Sequence, residues 1–255
     1  MNNTVWETMM RNSFILSMSL STSVAVMLAA CSQKAAESPA SPAAQDWSNL
    51  RDFTAIDATG PDNVAVTIGP DFAVRAEGDA KAVADIDMRV RDGKLVIGRK
   101  SQGSWTFGNK GEGKDVTIRV TMPAIRAAAL TGAGDFDLDR AQGDALDLAL
   151  TGAGDFRIGT VTLKTLSADI TGAGSITIAG TVDRADLSVT GAGDIEAQAL
   201  KAGSAKVSML GAGDIGFASD GQVAISIMGP GDVTVKGKAQ CKTSGTGPGE
   251  ARCAP

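Results

Sequence analysis

The chain contains no histidine and no tyrosine, and aromatic residues make up only 4% of its 255 positions. Without histidine, His-based general acid/base catalysis, Ser-His-Asp and Cys-His nucleophile systems and mixed His zinc sites are excluded. No basic run occurs, and Lys+Arg 24 against Asp+Glu 29 leaves a net charge of -5. A phosphate-tracking surface is therefore not expected, and nucleic acid is not an expected partner. Only three cysteines are present. What the chain has is apolar material, 43% of the residues, enough for one or two globular domains. It also has 31 glycines, 22 of which follow Met122.

The N-terminus has the three parts of an export signal: Arg11, an uncharged and mostly apolar run over residues 14–30, and the ending Leu28-Ala29-Ala30-Cys31. The run is short for a bilayer span of ~20 residues. The ending resembles the lipobox of bacterial lipoproteins, which implies cleavage after residue 30, lipid on Cys31 and a membrane anchor. In that resemblance Ser32, in place of an aspartate, implies sorting to the outer membrane. Residues 31–46, rich in Ala, Ser, Pro, Glu and Gln, are too small and polar to pack and are expected to form a flexible tether.

Residues 47–123 carry short alternating runs such as Val64-Ala-Val-Thr-Ile68 and Val116-Thr-Ile-Arg-Val120, punctuated by Gly, Asp and Pro, which predict strands and turns. No helix of convincing length is expected, the best candidate being residues 78–91. Residues 101–114, with Trp105 and Phe107, are expected to form a polar, glycine-rich mobile loop.

Residues 124–255 repeat a corner: Gly132-Ala-Gly-Asp, Gly152-Ala-Gly-Asp, Gly172-Ala-Gly-Ser, Gly191-Ala-Gly-Asp, Gly211-Ala-Gly-Asp, Gly229-Pro-Gly-Asp and Gly247-Pro-Gly-Glu, at intervals of 20, 20, 19, 20, 18 and 18. A period near twenty with strand formers on both sides of a glycine corner predicts an all-β, right-handed β-solenoid of about seven coils. Before the corner stand Leu130, Leu150, Ile170, Val189, Met209 and Ile227; after it stand Phe136, Phe156, Ile176, Ile195, Ile215 and Val233. A third apolar column follows two residues on, from Leu138 and Ile158 to Val235, with Asp137, Arg157, Thr177, Glu196, Gly216 and Thr234 between. This period of two puts one face inward and the other in solvent. The glycines fit neither a dinucleotide fingerprint nor a phosphate loop, since no helix follows and no Gly-Lys-Ser/Thr ending occurs.

With Phe53-Thr-Ala-Ile56 and Asp92-Gly-Lys-Leu-Val-Ile97 ahead of them, these Thr-Gly-Ala-Gly-Asp-(Phe/Ile) repeats are similar to the GIN-domain family, described as putative autotransporter adhesin head domains. The similarity covers residues 50–253. It implies a β-helix-like fold in the bacterial envelope and carries no catalytic residue over; the adhesin label is a fold-level analogy.

Three functions follow as expectations. The first is a non-enzymatic envelope protein that presents a ladder surface to a protein, a polysaccharide or another copy of itself. The second is a polysaccharide-binding or polysaccharide-cleaving β-helix using Asp135, Asp155, Asp194 and Asp214; against it, Trp47 and Trp105 are the only tryptophans after Cys31 to serve as sugar platforms. The third is a calcium-stabilised solenoid, although Ser175 and Glu250 interrupt the carboxylate column. No cofactor is expected. Cys241 and Cys253 fall in inward columns of the last coil and are expected to form a disulfide in an exported chain. Asp135, Asp155, Asp194, Asp214 and Asp232 share one point of each corner, where neighbouring carboxylates would repel by roughly 1 kcal/mol in water. Hydrogen bonds from each carboxylate to the N–H groups of its own corner are expected to offset this.

Overall fold

The computed structural model describes residues 43–100 and 116–254. Cys31, the export signal and the segment containing Trp105 and Phe107 lie outside the described residues. The elements in chain order are β1 (Ala43–Asp46), β2 (Ala55–Gly60), β3 (Asn63–Ile68), β4 (Ala73–Gly78), α1 (Ala80–Ala84), β5 (Ile86–Arg91), β6 (Lys94–Arg99), β7 (Thr117–Met122) and β8 (Ala127–Gly132). Four long strands follow, each bent around one coil: β9 (Asp135–Gly152), β10 (Asp155–Gly172), β11 (Ser175–Gly191) and β12 (Asp194–Gly211). The last are β13 (Ile215–Ser219), β14 (Gln222–Met228), β15 (Val233–Lys236), β16 (Gln240–Thr246) and β17 (Ala251–Ala254).

The architecture is a β-solenoid of about six turns. The sequence expectation was about seven coils; seven corners at these intervals bound six turns, which accounts for the difference. Coils stack as parallel ladders, residue for residue at the corners: Gly152 pairs with Gly132 and with Gly172, and Phe156 with Phe136 and Ile176. All three apolar columns are buried from end to end. Phe136 and Phe156 pack ring against ring at 4.9 Å between centroids. Full burial of such a side chain is worth about 1.5–3 kcal/mol, and no coil could obtain that alone. The intervening positions are exposed as the period of two requires, except Gly216, which is buried beneath the Gln198 side chain.

The first half belongs to the same column. Strand β2 pairs in parallel with both β6 and β8, and β3 with both β7 and β9. Residues 55–68 therefore form a coil lying between the layer of β6 and β7 and the first repeat coil. Its corner, Thr59-Gly60-Pro61-Asp62-Asn63, stands in register with Thr131-Gly132-Ala133-Gly134-Asp135. A single hydrophobic core runs from Leu50 to Val235. Antiparallel β4, on β7, and β5, on β6, complete this region. The helix is one short turn, α1, capped by the Asp79 carboxylate, which accepts from the N–H groups of Lys81 and Ala82.

The tether ends earlier than its composition suggests. Residues 43–46 form β1, antiparallel to β4. Their side chains do not pack in a core; backbone hydrogen bonds hold the strand, and these need no apolar side chain.

Cys241 and Cys253 are joined in a disulfide. Cys241 follows Val223, and Cys253 follows Val235, in the inward columns. Among the described residues no further coil covers them, so Cys241 is half-buried and Cys253 exposed rather than sealed in the core. The bond crosslinks β16 to β17 over a separation of 12 residues. Cys241→Ser is expected to cost about 3 kcal/mol in the chain-entropy estimate. Because coils contact only their neighbours, hydrogen exchange should quicken in β16 and β17 and remain unchanged in β9 to β11. Uniform acceleration along the column would contradict this.

Candidate functional site: the acidic corner column and the recess beside it

The corner carboxylates act between coils. Asp155 Oδ1 accepts from the Ser175 N–H at 3.1 Å and from Ser175 Oγ at 2.7 Å. Asp194 Oδ1 accepts from the Asp214 N–H at 2.7 Å, Asp214 Oδ1 from the Asp232 N–H at 3.1 Å, and Asp232 Oδ1 from the Glu250 N–H at 2.8 Å. In the first coil Asn63 Oδ1 accepts from the Asp135 N–H at 2.9 Å. Each of these five side chains thus holds the backbone of the next coil at the equivalent point, whereas the Asp135 carboxylate accepts from Arg157. This corrects the expectation that each would bond to its own corner. At the turn, the parallel ladder leaves the following coil's N–H without a carbonyl, and the side chain below supplies the oxygen. Where serine stands in the column, the Asp194 N–H turns instead to the Gly174 carbonyl at 3.2 Å.

The repulsion between Asp135 and Asp155 is offset by Arg157, whose Nη1 donates to Asp135 at 2.8 Å and Nη2 to Asp155 at 3.2 Å. The hydrogen bond to Asp135, and the charges of Asp135, Asp137 and Asp155, push the guanidinium pKa up. Asp194 and Asp214 have no ion pair among the described residues. Asp194→Asn keeps the acceptor and removes a charge from the stack, so stability should be unchanged or slightly higher. Asp194→Ala should lose about 1 kcal/mol with the hydrogen bond. Chelator should shift neither melting curve, because the hydrogen bonds need no metal; a melting temperature lowered by EDTA and restored by calcium would overturn this account. Among the described residues no three metal-ligating side chains converge.

Beside this column lies an open recess floored by Val66, Leu138 and Ile158 and edged by Asp137, Asp139, Arg157 and Thr177. Two carboxylates with an arginine nearby is the arrangement a cleaving enzyme would use. Here Asp139 is engaged in structure: its Oδ1 accepts from the Ile68 N–H at 3.0 Å, and the Arg140 side chain donates to the Ile68 carbonyl from the same junction. Asp137 is exposed and lies 3.8 Å from Arg157. The corner aspartates expected of an enzyme, Asp135, Asp155, Asp194 and Asp214, are strung along the column at strand spacing and do not meet in a cleft.

The sequence did not single out Asn63 as the first member of the column, or Asp62 and Arg99 beneath it. Arg99 Nε donates to Asp62 Oδ2 at 2.9 Å and Nη2 to Asp62 Oδ1 at 2.6 Å, in a part of the structure where the Asp62 side chain is only 4% exposed. The signal available was the Thr-Gly-Pro opening of the corner, which returns at Thr246.

Fold and column together define a class: single-chain parallel β-solenoids with glycine corners, tied coil to coil by a side-chain ladder. Within it the chain belongs to the GIN-domain family, "putative auto-transporter adhesin, head GIN domain", which matches residues 52–239. A solved structure described as a putative adhesin from Bacteroides fragilis is similar at 25% identity and a TM-score of 0.75, over 83% of this chain and 96% of that one. A structure from Parabacteroides distasonis, described as a putative lipid binding protein, shares the fold at 20% identity and a TM-score of 0.67, covering 83% and 96%. A putative adhesin from Parabacteroides merdae does so at 18% and 0.63, covering 83% and 95%. No curated protein matches the chain.

Proposed function

We propose that the chain is a non-enzymatic adhesive head of the bacterial envelope, anchored by lipid on Cys31, sorted to the outer membrane, and offering the flanks of its solenoid to a protein or polysaccharide. The observation that carries this reading is the employment of its acidic groups: Asp155, Asp194, Asp214 and Asp232 hold the next coil's backbone, and Asp139 holds β3 to β9. These carboxylates serve rigidity, which gives a stiff column with ordered outward rows; Asp137, at the recess, is the acid left exposed. Membership in a family described as adhesin heads supports the same reading.

Cells expressing the full chain should bind host-protein or polysaccharide coatings better than cells lacking it, and purified protein should release no reducing ends from polysaccharides. Depolymerisation that is lost in Asp137→Asn would replace this reading with an enzyme. Cys31→Ser should leave the protein unprocessed or free of the membrane, and mass spectrometry of the mature form should find its N-terminus at an acylated Cys31. A mature N-terminus elsewhere would refute the anchor.

A further inference from the structure

Part of one face of the solenoid is formed by the stretches of β9 to β12, β14 and β16 that precede the corner. Its outermost row, read coil by coil, is Asp147, Ser167, Asp186, Lys206, Ala224 and Lys242. The charges are antisymmetric about the boundary between β11 and β12: acid, neutral, acid, then base, neutral, base. None of the four charged side chains has an ion pair or side-chain hydrogen bond among the described residues, and all four are exposed.

We propose that this face binds a second copy of the chain, face to face, about a two-fold axis that lies along the strands between β11 and β12. Such a rotation lays each row over itself with the coil order reversed. Lys206 then meets Asp186 of the second copy, and Lys242 meets its Asp147; symmetry makes four such pairs in all. At the centre each Lys206 stands between its own Asp186 and the other copy's.

The neighbouring rows agree with the same axis. The row next to the corner is threonine at Thr151, Thr171, Thr190 and Thr246 but changes to Leu210 and Met228, the two large hydrophobic residues exposed in the described structure, at 49% and 56%. The rotation places Leu210 on Thr190 and Met228 on Thr171, so both apolar side chains are covered by threonine methyl groups. In the middle row Asp169 comes to face the hydroxyl of Ser226. An anionic polysaccharide or lipid surface would use Lys206 and Lys242 but would meet repulsion from Asp147, Asp169 and Asp186 on the same face; a second copy uses both halves.

Six strands at ~4.8 Å and five residues of width make a contact of about 30 by 15 Å on each copy, the size of transient interfaces. The test therefore uses two differently tagged full-length chains co-expressed in the native envelope, crosslinked with a short lysine-independent reagent and co-purified. Wild-type chains should co-purify. Lys206→Asp/Lys242→Asp should fail to pair with itself, and so should Asp147→Lys/Asp186→Lys, each by roughly tenfold or more. Mixing the two reversed variants should restore pairing, because every contact is again between opposite charges. The substitutions are on exposed, unpaired side chains, and unchanged melting curves will show that the fold is kept.

Co-purification that ignores the reversals, or reversed variants that do not rescue one another, overturns the proposal. So does absent wild-type pairing, in particular with retention on hyaluronan or on phosphatidylglycerol vesicles that is lost in Lys206→Asp/Lys242→Asp; the face would then bind the polysaccharide or the membrane. The adhesion assay above reads out separately, so a monomeric but adhesive protein would leave that function standing.

Discussion

Gly172→Ala should destabilise the protein by more than about 4 kcal/mol, a loss of the size reserved for a named structural fault. Gly172 has φ +136, where an L side chain is strained, and a Cβ there would fall inside the van der Waals sphere of the Gly152 carbonyl oxygen on the coil below. That oxygen cannot retreat, because Gly152 stands over Gly132 in the same way and its carbonyl already accepts from the Ala173 N–H at 2.8 Å. Gly143 separates the two contributions. Its φ is +141, but nothing lies within 4 Å of the Cβ position. Gly143→Ala should therefore cost only the backbone strain, of order 1–3 kcal/mol. Urea midpoints of the two variants measure the difference, and equal midpoints would show that stacking does not demand glycine at the corner. Because stability in a solenoid is a sum over coils and their interfaces, Gly172→Ala should also broaden the transition, separating the coils on either side of it.

The same stacking explains what could be foreseen from the sequence. Corners at nearly fixed spacing, with apolar residues at −2, +2 and +4 from the glycine pair, specify a solenoid because each row is a repeated measurement of one environment; Leu130 to Ile227 are buried without exception. The coil of residues 55–68 escaped notice because 72 residues separate Gly60 from Gly132 and because Asp62 and Asn63 replace Gly and Asp. Strands β6 and β7 lie on the far side of that coil, which no periodicity reveals. The partners of the corner carboxylates were equally hidden. An aspartate after a glycine corner satisfies a local turn as well as a stacked one, and only the ladder register shows which N–H lacks a carbonyl. The dimer-like antisymmetry of Asp147, Asp186, Lys206 and Lys242 was written in the sequence but needed the bulge-corrected register of β11 on β12 to be read.

Arg99→Leu should cost about 2–3 kcal/mol, below the loss typical of a fully buried ion pair because the arginine is itself 33% exposed. The pair closes the first corner from below. Asp62 occupies the position held by the second glycine of later corners, and its backbone carbonyl is the floor on which Gly134 rests. Arg99, the last residue of β6, reaches it with a two-pronged contact of 2.9 and 2.6 Å. The partners are not equally desolvated, with side-chain exposures of 33% for Arg99 and 4% for Asp62. Removal of the arginine strands a carboxylate that water reaches poorly. Removal of the carboxylate leaves a guanidinium that is already 33% exposed, so Asp62→Asn should cost less than Arg99→Leu. The combination Asp62→Asn/Arg99→Leu should be more stable than the sum of the single changes, because it removes the stranded charge. A double-mutant cycle by chemical denaturation gives the coupling. Additive losses, or equal costs for the two single variants, would mean that the corner is held by its stacked backbone alone and that the ion pair is incidental to where the column begins.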